Sequence, residues 1–216
     1  MNEMDADRNP EYTEIVSAAE LRTLLGEPNQ LALTRERTRL HEVDRQWLAL
    51  SPFCVLATTD AHGRTAATLK GDPPGRLAHV LDDRTIVVPE RPGNRRADGL
   101  FNVLSNPHVA IVFLIPGRTA GLFIRGRARV LRDAPFFDAM AVRGKPPILA
   151  LLVEIDQVFA NCPKALMRSG IWQPETWQPD ALPSHATLLK MLQDTPATLT
   201  ELEERYAPEN YAKRLY

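Results

Sequence analysis

Between residues 53 and 158 the sequence rarely runs ten residues without a turn signal, and this segmentation limits the folds open to it. Of its 18 prolines, most fall between short apolar or β-branched runs, which argues against a bundle of long helices. The spacing predicts strands over 53–59 and 64–69, joined by the turn Asp60-Ala61-His62-Gly63. A loop over 70–75 follows, then a short extended segment at 77–81, a turn at Asp82-Asp83 and a strand over 84–88. Further strands are predicted over 109–115, 122–131 and 148–158. A helix over 97–104 interrupts this central series, with Leu100, Val103 and Leu104 able to share a face. About six strands with Gly and Pro turns predict an antiparallel barrel or sandwich, mainly β within an α+β class. No Gly-rich dinucleotide fingerprint follows any strand.

Helices are predicted at both ends. Ser17-Ala18-Ala19-Glu20 has the pattern of a capping box opening a helix closed by Gly26, beyond a frayed tail over 1–12. Pro28 and Asn29 make a turn. A second helix is predicted over 34–50, with Leu40, Val43, Trp47 and Leu50 as its buried stripe. A short helix is predicted over 133–140, and two more over 182–192 and 199–206.

The stretch with most chemical content follows the 84–88 strand. Arg91-Pro92-Gly93-Asn94-Arg95-Arg96 places two adjacent guanidiniums in a strand-to-helix turn. Free N–H groups and the positive end of the helix dipole favour an anion there, and arginines add bidentate donors shaped for phosphate. Charged hydrogen bonds of this kind are worth roughly 1.5–3 kcal/mol each. The turn reads as a cradle for the phosphate of a cofactor; the other reading is a solvated charged turn.

Composition narrows the partners. Formal net charge is −1, which gives no electrostatic reason to expect nucleic acid or anionic membrane. No run approaches a membrane-spanning length, and residues 1–10 lack the apolar core of a secretory signal, so the expectation is a cytoplasmic protein. Cys54 and Cys162 form no metal pattern, and no Ser/His/Asp or Cys/His arrangement stands out.

Taken in order, Ser-Pro-Phe-Cys-Val-Leu-Ala-Thr-Thr (51–59), Leu69-Lys70-Gly71-Asp72, Arg-Pro-Gly-Asn-Arg-Arg (91–96), Asn106-Pro107 and Leu-Phe-Ile-Arg-Gly-Arg-Ala-Arg-Val-Leu (122–131) resemble the pyridoxamine 5′-phosphate oxidase family of FMN-binding split β-barrels. Within it, the chain is most similar to a bacterial subgroup sharing Lys-Gly-Asp, Arg-Pro-Gly-Asn-Arg and Cys-Pro-Lys segments. The resemblance covers residues 34–177 and suggests three parts: a tail and short helix over 1–33, the split barrel over 34–160, and a C-terminal segment over 161–216 packing on the barrel or a partner chain.

The resemblance implies a homodimer with FMN in two interfacial clefts and hydride transfer at flavin N5 from a small-molecule donor. It assigns Thr65, Ala66, Ala67, Thr68, Leu69 and Lys70 to the strand along the flavin edge, Val88 and Pro89 to the strand end under the ribityl chain, and Asn94, Arg95 and Arg96 to the phosphate turn. Lys164 is a candidate cofactor or substrate group, and Trp172 matches a tryptophan that reaches FMN from the partner. The family's glutamine contact falls near Gly121, a departure, and its substrate-phosphate set has no firm match at Phe136, Asp138 or Arg143. Alternatives are a flavin carrier or sensor without turnover, and a haem-binding barrel using His62, His79 or His108.

Overall fold

The computed structural model describes residues 12–216; the tail expected over 1–12 falls, up to residue 11, outside them. The chain divides into one compact unit ending at Arg35 and a second spanning Glu36–Tyr216. In the first, helix α1 (Ala18–Leu25) begins where Ser17 accepts from the Glu20 N–H at 3.1 Å and stops at Gly26, whose φ is 71°. A second short helix, α2 (Gln30–Thr34), starts at Asn29, whose side chain accepts from the Ala32 N–H. Here the sequence predicts only a turn, because five residues are too few to show a periodicity.

The helix predicted over 34–50 is shorter: α3 covers Glu42–Leu50. Its start is fixed by a reciprocal cap, in which Asp44 accepts from the His41 N–H at 2.7 Å and His41 accepts from the Val43 N–H. Upstream, the Arg37 backbone pairs with Val158 instead of coiling. Asp44 is also held by the Arg37 guanidinium, and that hydrogen bond raises the Arg37 pKa further above its ordinary value, against the opposing effect of burial. The buried face differs from the predicted stripe too. Leu40 and Trp47 of that stripe do pack on the core, but Val43 and Leu50 are exposed and Leu48 and Asp44 are buried in their place.

Seven strands form one sheet: β1 (Phe53–Thr59), β2 (Thr65–Gly71), β3 (His79–Val80), β4 (Thr85–Glu90), β5 (His108–Leu114), β6 (Gly121–Leu131) and β7 (Leu149–Ala160). Their spatial order is β2-β1-β5-β6-β7-β4-β3 and every pairing is antiparallel. The predicted α+β split barrel is therefore the fold. The β1–β2 turn is organised by Asp60, which accepts from the His62 and Arg64 N–H groups at 2.8 and 2.9 Å as an Asx turn. Both β2 and β4 run longer than predicted. Lys70 and Gly71 pair with Cys54 and Phe53, and Pro89 and Glu90 pair with Ala150 and Leu149. Proline is tolerated at 89 because β3 reaches only Ile86 and Val87, leaving that edge of β4 without a partner ladder. Between β6 and β7 the register slips at Arg125/Gly126. A Cβ at Gly126 would run into the Glu154 carbonyl, so this bulge requires glycine.

Inward-facing Leu56, Ile86, Ile111, Phe113, Ile124, Leu151 and Val153 fill the barrel, with Leu40, Leu48 and Trp47 closing it from the α3 side. Helix α4 (Asp98–Ser105) lies between β4 and β5 in sequence and packs over β1, β2 and β6. The helix predicted over 133–140 is reduced to a single 3-10 turn, Asp138–Met140, since Pro135 disfavours helical geometry at Ala134. The C-terminal part contains α5 (Lys164–Ser169), α6 (His185–Leu192), α7 (Leu199–Tyr206) and α8 (Pro208–Ala212). Among the described residues, no helix is long and apolar enough to cross a membrane.

Candidate functional site

Strands β2 and β4 are not hydrogen-bonded to each other. Strand β2 pairs only with β1, and β4 only with β7 and β3. They nevertheless approach closely enough for side chains to bridge them. Lys70 of β2 is paired with Glu90 of β4. One step further out, Arg91 Nε donates to Asp72 Oδ2 at 2.8 Å, and the Asp72 and Arg91 side chains are 1% and 11% exposed. Arg91 Nη2 also donates to the Met140 carbonyl at 2.7 Å. Two ion pairs thus latch a seam that no backbone ladder closes.

A cavity of about 380 Å³ opens beside this seam, within the usual size range of small-molecule sites. Residues 66–70 form one wall, with Leu56 of β1; Glu90 and Asn94 form the end; residues 96–100, at the start of α4, form the other wall. Because β2 is an edge strand, alternate N–H and C=O groups along it point away from β1 and are free for a ligand. Its side chains at 66, 68 and 70 are half-buried, whereas Thr65, Ala67 and Leu69 are exposed.

The start of α4 is held close to the sheet by specific contacts. Asn102 Nδ2 donates to Thr58 Oγ1 at 3.1 Å, and Val103 is buried in the core. Gly99 makes the approach possible: a Cβ there would lie 3.1 Å from Thr68 Oγ1 and 3.5 Å from Thr58 Oγ1. A side chain at this position would therefore fill the gap between helix and strand. Ala97 caps the helix in left-handed geometry, φ 56°, and Arg95 also has positive φ, 63°. Two such non-glycine residues in three mark local strain, of the kind kept where a turn has work to do. Leu100 N–H is the first to bond back, to the Ala97 carbonyl at 2.9 Å, so the Asp98 and Gly99 N–H groups sit at the end of the helix that attracts anions. Asn94 Oδ1 accepts from the Arg96 N–H at 3.0 Å, an Asx turn, and both residues are part of the cavity lining.

Of the residues singled out from sequence, Ala66, Ala67, Thr68, Leu69, Lys70, Asn94 and Arg96 line this one cavity. The others do not. Thr65 is exposed at the beginning of β2, opposite Thr59. Val88 points into the barrel core and is 1% exposed, because strand alternation turns its side chain inward. Arg95 lies in the turn, with a positive φ, but is exposed and outside the lining. Lys164 is exposed at the start of α5. The Trp172 indole donates to the Arg118 carbonyl at 2.8 Å; neither residue lines the cavity of its own chain. The histidines weighed for haem lie elsewhere: His79 stacks on Phe136, and His62 and His108 are exposed.

A second cavity, about 360 Å³, shares Thr68, Leu69, Lys70, Glu90 and Asn94 with the first and continues to Pro89 and Tyr216. The Tyr216 hydroxyl donates to Asp72 Oδ1 at 3.1 Å, and its ring lies 5.7 and 5.5 Å from the Arg91 and Arg143 guanidiniums. Burial, together with the hydrogen bond and charge of Asp72, pushes the Tyr216 pKa above the usual tyrosine value. Sequence reasoning missed Glu90, Asp98, Gly99 and Tyr216. Only Gly99 carried a readable signal, a glycine near a helix start facing two threonine-bearing strands.

The donor set suits an anionic, partly planar ligand. Lys70, Arg96, Asn94 and the start of α4 line it together with Glu90 and Asp98, and an open strand edge runs along one wall. Residues 40–162 match the family model described as pyridoxamine 5′-phosphate oxidase. No curated protein matches the chain. Among solved structures, HupZ of Group A Streptococcus is 18% identical over 56% of this chain and 93% of its own, with a TM-score of 0.45. A candidate pyridoxamine 5′-phosphate oxidase of Lactobacillus delbrueckii is 21% identical over 58% and 99%, also at 0.45. A pyridoxamine 5′-phosphate oxidase-related, FMN-binding protein of Nostoc punctiforme is 14% identical over 52% and 75%, at 0.37.

Proposed function

Because the chain belongs to the pyridoxamine 5′-phosphate oxidase family, we propose that it is an FMN-dependent oxidoreductase acting on a small molecule, with the flavin held in the seam cavity of a homodimer. The observation that carries this reading is that Lys70, Asn94, Arg96 and the start of α4 line one cavity whose side is the free edge of β2. Lys70, the Asn94 amide, the Arg96 guanidinium and the Asp98 and Gly99 N–H groups would hold the phosphate. The β2 edge and the Thr68 hydroxyl would orient the ring, and Leu56 and Leu100 would keep water from its buried side. When bound, FMN supplies two-electron redox chemistry, accepting a hydride from a small donor at the ring. The chain's contribution is to position the ring and to stabilise negative charge on its reduced form. A second copy is supported by the apolar surface beside the cavity: Leu69 of β2 and Phe101 and Leu104 of α4 are 68%, 65% and 72% exposed, a patch suited to a partner subunit. In that dimer Lys164 and Trp172 would approach the partner's flavin.

The test is the visible spectrum of freshly purified protein, followed by titration with FMN under fluorescence detection. The expected result is a two-band flavin spectrum or stoichiometric quenching. Arg95→Ala combined with Arg96→Ala should lower FMN affinity at least tenfold, the loss of about one charged hydrogen bond, and leave the size of the assembly unchanged. Colourless protein that takes up no FMN from excess would overturn the reading. Anaerobic bleaching by a nicotinamide, a deazaflavin or a pyridoxamine donor separates an enzyme from a flavin carrier.

A further inference from the structure

The lining of the first cavity is electrically self-balanced. It holds two cations, Lys70 and Arg96, and two carboxylates, Glu90 and Asp98. Each cation is paired with one carboxylate, Lys70 with Glu90 and Arg96 with Asp98. The pairs are not equivalent. The side chains of Arg96 and Asp98 are 74% and 53% exposed, so solvent screens that pair and either partner can turn away. Those of Lys70 and Glu90 are 10% and 25% exposed, where charges feel each other more strongly.

The Glu90 backbone is also held in place. Glu90 is the last residue of β4, in register with Leu149, and the next residue, Arg91, is tied to both Asp72 and the Met140 carbonyl. A phosphate entering the cavity therefore meets Glu90 as a like charge already paired with Lys70 and must compete with it for that cation. Resting on the flavin reading above, we infer that Glu90 is a specificity-determining residue of this cavity. By neutralising Lys70, it sets how strongly the site prefers a flavin ending in a phosphate over one ending in a neutral hydroxyl. Ring and polyol contacts are common to both ligands, so the ratio of their dissociation constants isolates the charge contribution.

The experiment measures dissociation constants for FMN and for riboflavin by flavin-fluorescence quenching in the full chain and its variants. Glu90→Gln, which keeps the shape and removes the charge, should tighten FMN about tenfold and change riboflavin less than about twofold. Lys70→Met should move the ratio the other way by about tenfold or more, because Glu90 then faces the ligand without its counterion. In the Lys70→Met background Glu90→Gln should recover most of that loss. Should Glu90→Gln fold poorly, Glu90→Met, read by the same ratio, takes its place, because Lys70→Met alone removes a phosphate contact whatever Glu90 does. An unchanged ratio in either variant overturns the inference. So does equal weakening of both flavins by Glu90→Gln, which would make Glu90 a partner of the ligand's hydroxyls. Wild-type protein that binds neither flavin defeats the cofactor assignment itself, a different result from any of these.

Discussion

Replacing Asp72 with alanine tests whether the seam is held as described. The carboxylate has two partners: Arg91 Nε at 2.8 Å and the Tyr216 hydroxyl at 3.1 Å. Its side chain is 1% exposed and that of Arg91 11%, so both charges are largely shielded from solvent. Removing one member of a buried pair costs about 3–5 kcal/mol, because the other charge is left stranded. Here the Met140 carbonyl still accepts from Arg91, which places the pair toward the lower end. The lost Tyr216 hydrogen bond adds about 1 kcal/mol. The sum is about 4 kcal/mol, or roughly 8–16 °C in Tm for a protein of this size. Urea melts followed by circular dichroism, with Arg91→Met and the double variant alongside, separate pairing from packing. The double variant should be about 2–3 kcal/mol less damaged than the sum of the singles, since Arg91→Met removes the stranded cation. A loss below about 1 kcal/mol for Asp72→Ala, or additivity within about 0.5 kcal/mol, would refute the latch.

Two further outcomes follow from local environments. Burial pushes the Cys54 thiol up to about 12, despite the opposing charge of Lys70, while Cys162 is exposed. A thiol reagent at pH 8 should label one cysteine in native protein and both after unfolding; two fast thiols in the native state would contradict the burial of Cys54. Among the four tyrosines, Tyr216 should ionise late, so an absorbance titration at 295 nm should lose a high-pH component in Tyr216→Phe. Its raised pKa means that the stabilisation from its contact with Asp72 is complete below the unfolded value, about 10, and disappears as pH climbs through the folded value. Loss instead of a component centred near the ordinary tyrosine value, about 10, would rule this out.

Much of the architecture was legible because it is local. The β1 span, the Asp60 turn, β6 and the α7 span are set by alternation, turn residues and caps within a few positions. The α3 start was not, because the cap at His41 depends on Arg37 pairing with β7 more than a hundred residues away. The site divides the same way. The 94–96 turn and the β2 wall can be read from their own residues. Glu90 was hidden because Pro89 reads as the end of a strand, and only the short reach of β3 lets β4 continue through it. Lys70 reads as loop because Gly71, Asp72 and two prolines follow it, yet it pairs with Cys54 of β1. Tyr216 reaches Asp72 from the far end of the chain, a meeting that no periodicity encodes.

The unpaired flank of β2 has a consequence for how this protein can drift. Backbone groups along such a flank recur roughly 7 Å apart, two residues of extended chain, whatever side chains they carry. A grip made from that repeat does not care that positions 66 and 67 are both alanine. Substitution along this wall should be tolerated wherever extended geometry survives, whereas one inserted residue would swap the inward and outward sets and blank the whole row.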